Sequence, residues 1–359
     1  MSDLAQSSLL YSARPAIAVD GVDDEELAQG LLSISVEEDV DGLFRCEATF
    51  GNWGTGEGSV DFLYFDGRVL DFGRSLRVTV GSGDRQGRIF EGRISAIEGR
   101  FPQARPPEVL VLAEDRFQDL RRKRRTRSFE DSSFTDVAQQ IASDHGLRAD
   151  IDADGPAYPV LAQVNQSDLA FLRERARAVD AELWMDGDTL HAQARSRRNS
   201  DEVTLTYGQS MREAMITADI ANQTTALTVS GWDVAAKEAL SEEAGDGALG
   251  AESEGKTGAQ VLQQAFGERP ERAVHTVPIT ADEARALAES YFRRAARGFV
   301  RGQAVAEGDA RIRAGSKVTL RGVGQVFDGS YYVTQARHAF DLIFGFQTHF
   351  SFERAWIPA

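Results

Sequence analysis

Residues that could carry out catalysis or bind a metal are scattered along this chain. Its histidines are His145, His191, His275, His338 and His349, and no two lie close enough in sequence to suggest a shared ligand site. The strongest zinc, hydrolase and nucleotide signatures (HExxH, paired CxxC, GxSxG and the Walker loop) are absent from the sequence. Because the chain has 56 carboxylates, one acid/base pair in a cleft is expected by chance. We therefore assign no catalytic residue, no metal ligand and no cofactor.

The only cysteine, Cys46, excludes a disulfide within the chain. It lies in a strand-like run from 43 to 50, which predicts a structural thiol rather than a nucleophile. The N-terminus has no signal peptide, and no stretch approaches 18 consecutive apolar residues. The chain is therefore expected to be made and folded in a bacterial cytoplasm.

The charge balance argues against a nucleic-acid-binding surface. The net charge is −16 and the sequence pI is about 4.9, whereas a surface that neutralises phosphates is basic. Residues 121–127 are contrary to this trend, with six basic residues in seven. They lack interleaved aromatic residues and are flanked by acidic ones. A solvated linker or a face of local ion pairs is favoured over a DNA contact.

Two distant stretches share one hairpin pattern. Residues 75–80 lead through Gly81 and Gly83 to Gly92, and residues 316–320 lead through Gly322 and Gly324 to Gly329. In this alignment Val78 matches Val318, and Phe90 matches Phe327. Alternating strands joined by a glycine-containing turn are typical of a β-hairpin, so these glycines are predicted to be structural turns and not a phosphate-binding loop.

The pattern along the chain predicts an α+β, mainly β fold with two similar antiparallel β-barrels. Residues 1–112 read as short strands, including a run at 60–65, and form the first barrel. Residues 113–202 form an α/β unit, and residues 203–234 plus 298–359 form the second barrel. Residues 235–297 are an insertion in the second barrel, with a flexible, mobile segment at 235–274 that is poor in large apolar residues.

Three helices in the α/β unit and the insertion have clear start signals. One follows Ser132 or Ser133, and a second begins at Ser167. The third, at 280–297, opens with a Thr280–Glu283 capping box and is followed by Gly298.

Several of these stretches together resemble a known family. They are residues 115–120, 128–137, 180–187 and 329–334, and above all 163–173, which contains a Gln-Ser-Asp-Leu-x-Phe-Leu core. In this order they resemble the baseplate hub family of contractile phage tails and injection systems, namely late control D proteins and the N-terminal hub part of VgrG proteins.

The resemblance implies a non-enzymatic structural protein that assembles as a homotrimer. Two similar barrels in each of three chains would present six similar surfaces to a sixfold inner tube protein and three to a threefold spike. The chain would then be a component of a phage tail or injection particle, in contact with other baseplate proteins, with no stable nucleic-acid binding and no membrane insertion of its own. Because the sequence ends after the second β region, the spike is expected to be a separate protein.

Two other interpretations stay open at this point. The chain could be a peptidoglycan-active hydrolase built on β-barrels, which would require paired carboxylates in a cleft. It could also be a monomeric module that binds peptidoglycan or an effector, in which case a ligand would raise its melting temperature.

Overall fold

A computed structural model describes residues 14–42, 44–56, 59–81, 87–198, 202–233, 236–274 and 278–359, and confirms a mainly β fold. The first part of the chain forms β1 Ala16–Val19, β2 Val22–Asp23, α1 Glu25–Gly30, β3 Leu31–Asp39, β4 Phe44–Gly51, β5 Gly54–Gly56, β6 Ser59–Asp61, β7 Ser75–Val80, β8 Gly87–Arg100 and β9 Glu108–Glu114. The middle part forms α2 Phe117–Arg121, β10 Arg124–Ser132, α3 Phe134–Asp144, β11 Arg148–Asp152, β12 Tyr158–Ser167, α4 Asp168–Ala178, β13 Ala181–Asp186, β14 Thr189–Ala194 and a 3₁₀ turn at Arg195–Arg197.

The last part returns to strands, interrupted by two helices. Its elements are β15 Glu202–Thr206, β16 Met211–Ala218, β17 Ala226–Asp233, β18 Glu238–Ala244, a 3₁₀ segment Asp246–Glu252, β19 Lys256–Thr257, α5 Gly258–Phe266, β20 Pro270–Ala273, α6 Ala281–Arg297, β21 Val300–Glu307, β22 Lys317–Arg321, β23 Gly329–Asp341, β24 Gly345–Arg354 and β25 Trp356–Ile357.

One 13-stranded sheet joins the two β regions. Its strand order is β16-β21-β24-β23-β3-β4-β9-β8-β7-β1-β2, with β22 and β15 attached beside β23. Within this order the four strands β16-β21-β24-β23 are followed by the four strands β3-β4-β9-β8. These two sets of four strands are repeats of one pattern, in which β16, β21, β24 and β23 of the second β region correspond in turn to β3, β4, β9 and β8 of the first. The two repeats meet where β23 pairs with β3.

The two repeats share two pairs of β-bulges at corresponding places. A bulge at Ser95 lies between β8 and β9, and a bulge at Thr334 lies at the same place between β23 and β24. The Ser95 hydroxyl donates to the carbonyl of Leu112 at 3.4 Å, and the Thr334 hydroxyl donates to the carbonyl of Ser351 at 3.3 Å. A second pair of bulges follows Leu31 in β3 and Met211 in β16. Bulges are built-in features of a sheet, so their coincidence fixes the alignment of the repeats.

This alignment corrects the hairpin match made from the sequence. Both hairpins exist, but Val78 faces Phe90 whereas Val318 faces Tyr331. Counting from the bulges, Leu76 corresponds to Val318, and Gly92 corresponds to Tyr331 rather than to Gly329. Phe327 lies before β23 and has no partner strand. A shift of two residues keeps every side chain on its face of the sheet, so alternation alone could not detect it.

The middle part is an α/β unit with its own core. Helices α3 and α4 pack with the β11-β14-β13 sheet and the two-stranded β10-β12 sheet around a cluster that includes Phe134, Ile141, Phe171 and Leu172. The capping box of α3 is formed by Ser133 with Asp136, and Ser167 caps α4.

The region predicted as a mobile insertion is built of regular elements. Residues 238–244, 246–252 and 258–266 form β18, a 3₁₀ segment and α5, so the expectation of a mobile segment at 235–274 is wrong for the described residues. The core of this region combines small residues such as Ala244 and Ala259 with the larger side chains of Leu249, Leu287 and Phe292. A low content of large apolar residues was therefore a poor sign of disorder.

The boundary of the second barrel also changes. Strand β17, which the sequence placed in that barrel, instead pairs with β18 and β20 in a separate three-stranded sheet. Helix α6 covers this sheet, and it begins and ends where the sequence predicted. The described residues between 226 and 297 thus form one small α/β layer, and its Val261 packs against the core of the second β region.

Candidate assembly surfaces

Three of the described histidines, His145, His191 and His338, have structural partners. His145 Nε2 contacts Asp168 Oδ2 at 2.8 Å, and His191 stacks on Trp184 with ring centroids 4.8 Å apart. His338 is fully buried beside Thr348, and burial lowers its pKa to about 4. His275 lies outside the described residues. Among the residues that the structure describes, no group of three or more His, Cys, Asp and Glu side chains is placed to hold a metal ion.

The most specific sequence motif, at 163–173, folds around a buried carboxylate. Asp168 accepts hydrogen bonds from Arg127 at 2.9 Å and from Gln163 at 2.9 Å, and it contacts Arg125 at 3.2 Å and His145 at 2.8 Å. These partners come from β10, β12 and the end of α3, so one carboxylate ties together the elements around the start of α4. Because cations and an amide surround the buried Asp168 carboxylate, we interpret the motif as a structural one that holds neighbouring elements together.

Three of the six basic residues in the run at 121–127 form ion pairs. Arg121 pairs with Glu114 at 2.5 Å, and both Arg125 and Arg127 pair with Asp144. This agrees with the predicted face of local ion pairs, although the run continues into a strand rather than a linker.

Two buried acidic groups have shifted pKa values. Cys46 is fully buried in the first core, and burial raises the pKa of its thiol, as expected for a structural cysteine. Burial also raises the pKa of Asp115 to about 8, against the lowering effect of a hydrogen bond from the backbone N–H of Phe117. Asp115 lines a cleft of about 250 Å³ between the first β region and the α/β unit.

The turn glycines of the repeated hairpin fall into two groups. Gly81, Gly322, Gly324 and Gly329 have positive φ angles of 84°, 79°, 96° and 128°, which L side chains rarely adopt. Gly329 is the first residue of β23 and pairs with Leu320, so it lies at the start of a strand. Gly92 is required for a different reason, since a Cβ there would lie 2.3 Å from the carbonyl oxygen of Glu114. Gly83 lies outside the described residues.

The free edges of the large sheet were not visible from the sequence. In the first repeat, residues 96–100 of β8 pair with β9 on one side, and within the described chain no strand pairs with them on the other. The corresponding part of β23, residues 335–339, is paired on both sides, with β24 and with β3. At the far end of the sheet β16 has β21 as its only ladder partner among the described strands, and its Met215 is 66% exposed. An open strand edge is a template for pairing with another chain.

An exposed aromatic cluster lies beside the free edge of β8. Trp53 and Phe62 rings are 5.3 Å apart, Phe62 and Phe65 are 5.2 Å apart, and Phe101 lies 6.0 Å from Phe62. The run at 60–65 was predicted as a strand, but β6 ends at Asp61 and the two phenylalanines sit in the following loop. Their contacts with Phe101 and Trp53, from distant parts of the sequence, explain why local alternation misled the prediction.

Comparisons with known proteins agree with the fold. The chain superposes on the 43 kDa tail protein of prophage MuSo2 from Shewanella oneidensis with a TM-score of 0.70 and 13% identity, covering 96% of this chain and 99% of that one. A tail protein from Neisseria meningitidis gives a TM-score of 0.67 and 14% identity, covering 96% and 98%. An Escherichia coli component of the type VI secretion system, described as structurally similar to T4 bacteriophage tail proteins, gives 0.61 and 11%, covering 96% and 79%.

At these identities the likeness shows a shared fold, which is that of phage tail proteins and a type VI secretion component. Comparison with curated protein sequences gave no match. Among the described residues, no helix has the length and apolar character needed to cross a membrane. The profile of the family described as the Alg8 N-terminal domain matches residues 13–341, and the chain therefore belongs to that family.

Proposed function

We propose that this chain is a structural baseplate hub of a contractile tail or contractile injection system, and that three copies form a ring between a sixfold inner tube and a threefold spike. The observation that carries the proposal is the tandem repeat of four strands, in which β23 pairs with β3 of the next repeat while the equivalent edge of β8 has no described partner. The shared fold with phage tail proteins and the type VI component supports the same role.

The free edges supply a rule for assembly. Strand β16 occupies in its repeat the position that β3 occupies in the other, so β8 of one copy can pair with β16 of a second copy as β23 pairs with β3. Such a contact joins two different surfaces and is heterologous, which generates a closed ring when the rotation permits. Three copies would place six four-strand repeats around one axis.

A ring of this kind matches two symmetries at once. The six repeats offer six similar faces to a sixfold tube protein, while the α/β units occur three times and offer a threefold surface to a separate spike chain. The role is mechanical, needs no cofactor and no catalytic group, and places the assembled protein in a phage tail or injection particle after synthesis in the bacterial cytoplasm.

The division into parts is proposed in a revised form. Residues 14–114 form the first barrel, the middle α/β unit extends to about residue 198, and residues 202–218 with 300–357 form the second barrel. The layer at 226–297 packs beside it, and the buried ion pairs of Arg297 join this layer to the α/β unit.

The proposal is tested by the absolute mass of the purified protein, measured by light scattering across a concentration series. We expect a species near 118 kDa (3 × 39.3 kDa) that grows with concentration, and rings of that size in electron micrographs. A monomer of 39.3 kDa at every concentration, both alone and mixed with the cognate spike protein, contradicts the ring and favours a monomeric binding module.

A further inference from the structure

We infer that the aromatic cluster of Trp53, Phe62, Phe65 and Phe101 is a contact surface for a second copy of this chain, with Phe101 entering the apolar core beside β16 of that copy. This rests on the proposed ring. It adds the residues and the register of the contact, both of which follow from the seam between β23 and β3 inside one chain.

The first step is the correspondence of Phe101 with Phe340. Counting from the bulges at Ser95 and Thr334, residue 101 in the first repeat occupies the position of residue 340 in the second. Phe340 faces Ile34 of β3 across the internal seam and is 5% exposed, as a member of the first core. Phe101 is 66% exposed. The same ring at the same position is buried where a following repeat exists and bare where none does.

The second step identifies what Phe101 would meet. Counting from the bulges after Leu31 and Met211, Ile34 in β3 corresponds to Ala214 in β16. Ala214 packs against the core of the second β region, which also contains Met211. By the same count Arg100 would face Met215 of the second copy, the exposed apolar residue on the free edge of β16.

The third step is the area involved. The four aromatic residues are 46%, 40%, 40% and 66% exposed, which at about 200 Å² for each side chain leaves roughly 400 Å² of aromatic surface open to water. That is the size of the largest apolar patch on a typical monomer, which is often functional, and about half of what each partner buries in a standard interface. The paired strand edges and Met215 would supply the remaining area.

A glycine in β8 leaves room for two of these aromatic rings. A Cβ at Gly99 would lie 3.0 Å from the ring of Phe65 and 3.1 Å from the ring of Phe101. The glycine therefore lets both rings lie over the end of β8. In the second repeat the corresponding residue is the buried His338. In the first repeat the rings of Phe65 and Phe101 lie beside Gly99 at this position.

The register is tested by cysteine cross-linking of the full chain. Arg337 faces Glu37 in the internal seam, which places Glu98 opposite Thr217 of the second copy. Facing residues in an antiparallel pair have Cα atoms about 4.5 to 5.5 Å apart, within disulfide range. We expect the Glu98→Cys, Thr217→Cys variant to form disulfide-linked multiples of the chain under oxidising conditions. The matched control, Glu98→Cys with Glu213→Cys, places the thiols four residues apart along β16 and should not link.

The role of Phe101 is tested by the association constant. We expect Phe101→Ser to weaken self-association at least tenfold, while the monomer stays folded, because Phe101 is 66% exposed and loses only its ring contacts with Phe62 and Phe65. Phe72→Ser, at a residue 65% exposed but outside the cluster, is the control and should leave association unchanged. If the wild type forms trimers but neither cross-linking nor Phe101→Ser follows expectation, this contact is overturned while the hub stands. If the wild type forms no trimer, either alone or mixed with the cognate spike protein, the proposed function itself fails.

Discussion

At the scale of single residues, a buried ion cluster ties the layer at 226–297 to the α/β unit. Arg297 is 5% exposed, and its guanidinium donates to both oxygens of Asp180 at 2.6 and 2.7 Å and to both oxygens of Glu252 at 2.7 Å each. Removing one member of such a cluster leaves the others buried without a partner, and this typically costs about 3 to 5 kcal/mol. The cluster thus makes the attachment of the layer sensitive to one side chain.

We therefore expect Arg297→Met to lower the free energy of unfolding by about 3 to 5 kcal/mol in urea denaturation. Arg301→Met is the control, because Arg301 is exposed and its one hydrogen bond within the described residues goes to the carbonyl of Gly298. It should change stability by less than about 0.5 kcal/mol. Equal effects of the two substitutions would show that the Arg297 cluster contributes no special stability.

A second residue-scale prediction concerns pH. Burial raises the pKa of Asp115 to about 8 in the folded state, from an ordinary value near 4 in the unfolded chain. The folded protein then holds a proton that the unfolded chain releases, so this contribution to stability is complete below about pH 4 and is lost as the pH rises through 8. In Asp115→Asn, we expect the decline in the free energy of unfolding between pH 5 and 8 to be shallower than in the wild type. Parallel pH profiles for the two proteins would refute the shift.

At the scale of elements, the close approach of strands at Gly92 is the sharpest constraint. A Cβ at this position would lie 2.3 Å from the backbone carbonyl oxygen of Glu114, and a backbone atom cannot move aside cheaply. We expect Gly92→Ala to destabilise the protein by at least about 2 kcal/mol in thermal or urea unfolding, at the upper end of overpacking effects. Gly247→Ala meets no heavy atom within 4 Å and should be close to neutral. A neutral Gly92→Ala would mean that β8 and β9 separate easily.

The contrast between elements shows what local sequence can predict. Helix α6 was placed correctly because its start signal is local, with Thr280 accepting from the N–H of Glu283 at 3.2 Å. The paired hairpins were found for the same reason, but their alignment was wrong by two residues because only the distant partner strands reveal the bulges. The free edges and the aromatic cluster depend on residues such as Trp53 and Phe101 meeting in space, and no short window contains both.

At the scale of the whole molecule, charge and apolar contact act in opposite directions on assembly. Each copy carries −16, so a trimer would carry −48 (3 × −16), and bringing like-charged copies together is unfavourable at low ionic strength. The proposed contact between β8 and β16 is made of strand edges, aromatic rings and Met215, which salt does not weaken.

Raising the ionic strength from about 0.05 to 0.5 M shortens the screening length from more than 10 Å to less than 8 Å. We therefore expect the trimer to become more stable with added salt, measured as a lower dissociation constant in sedimentation equilibrium. Wild type and Phe101→Ser should share this salt dependence, because the substitution changes no charge, while their affinities differ at every salt concentration. A trimer that weakens as salt is added would indicate that ion pairs between copies hold the ring and that the aromatic seam does not.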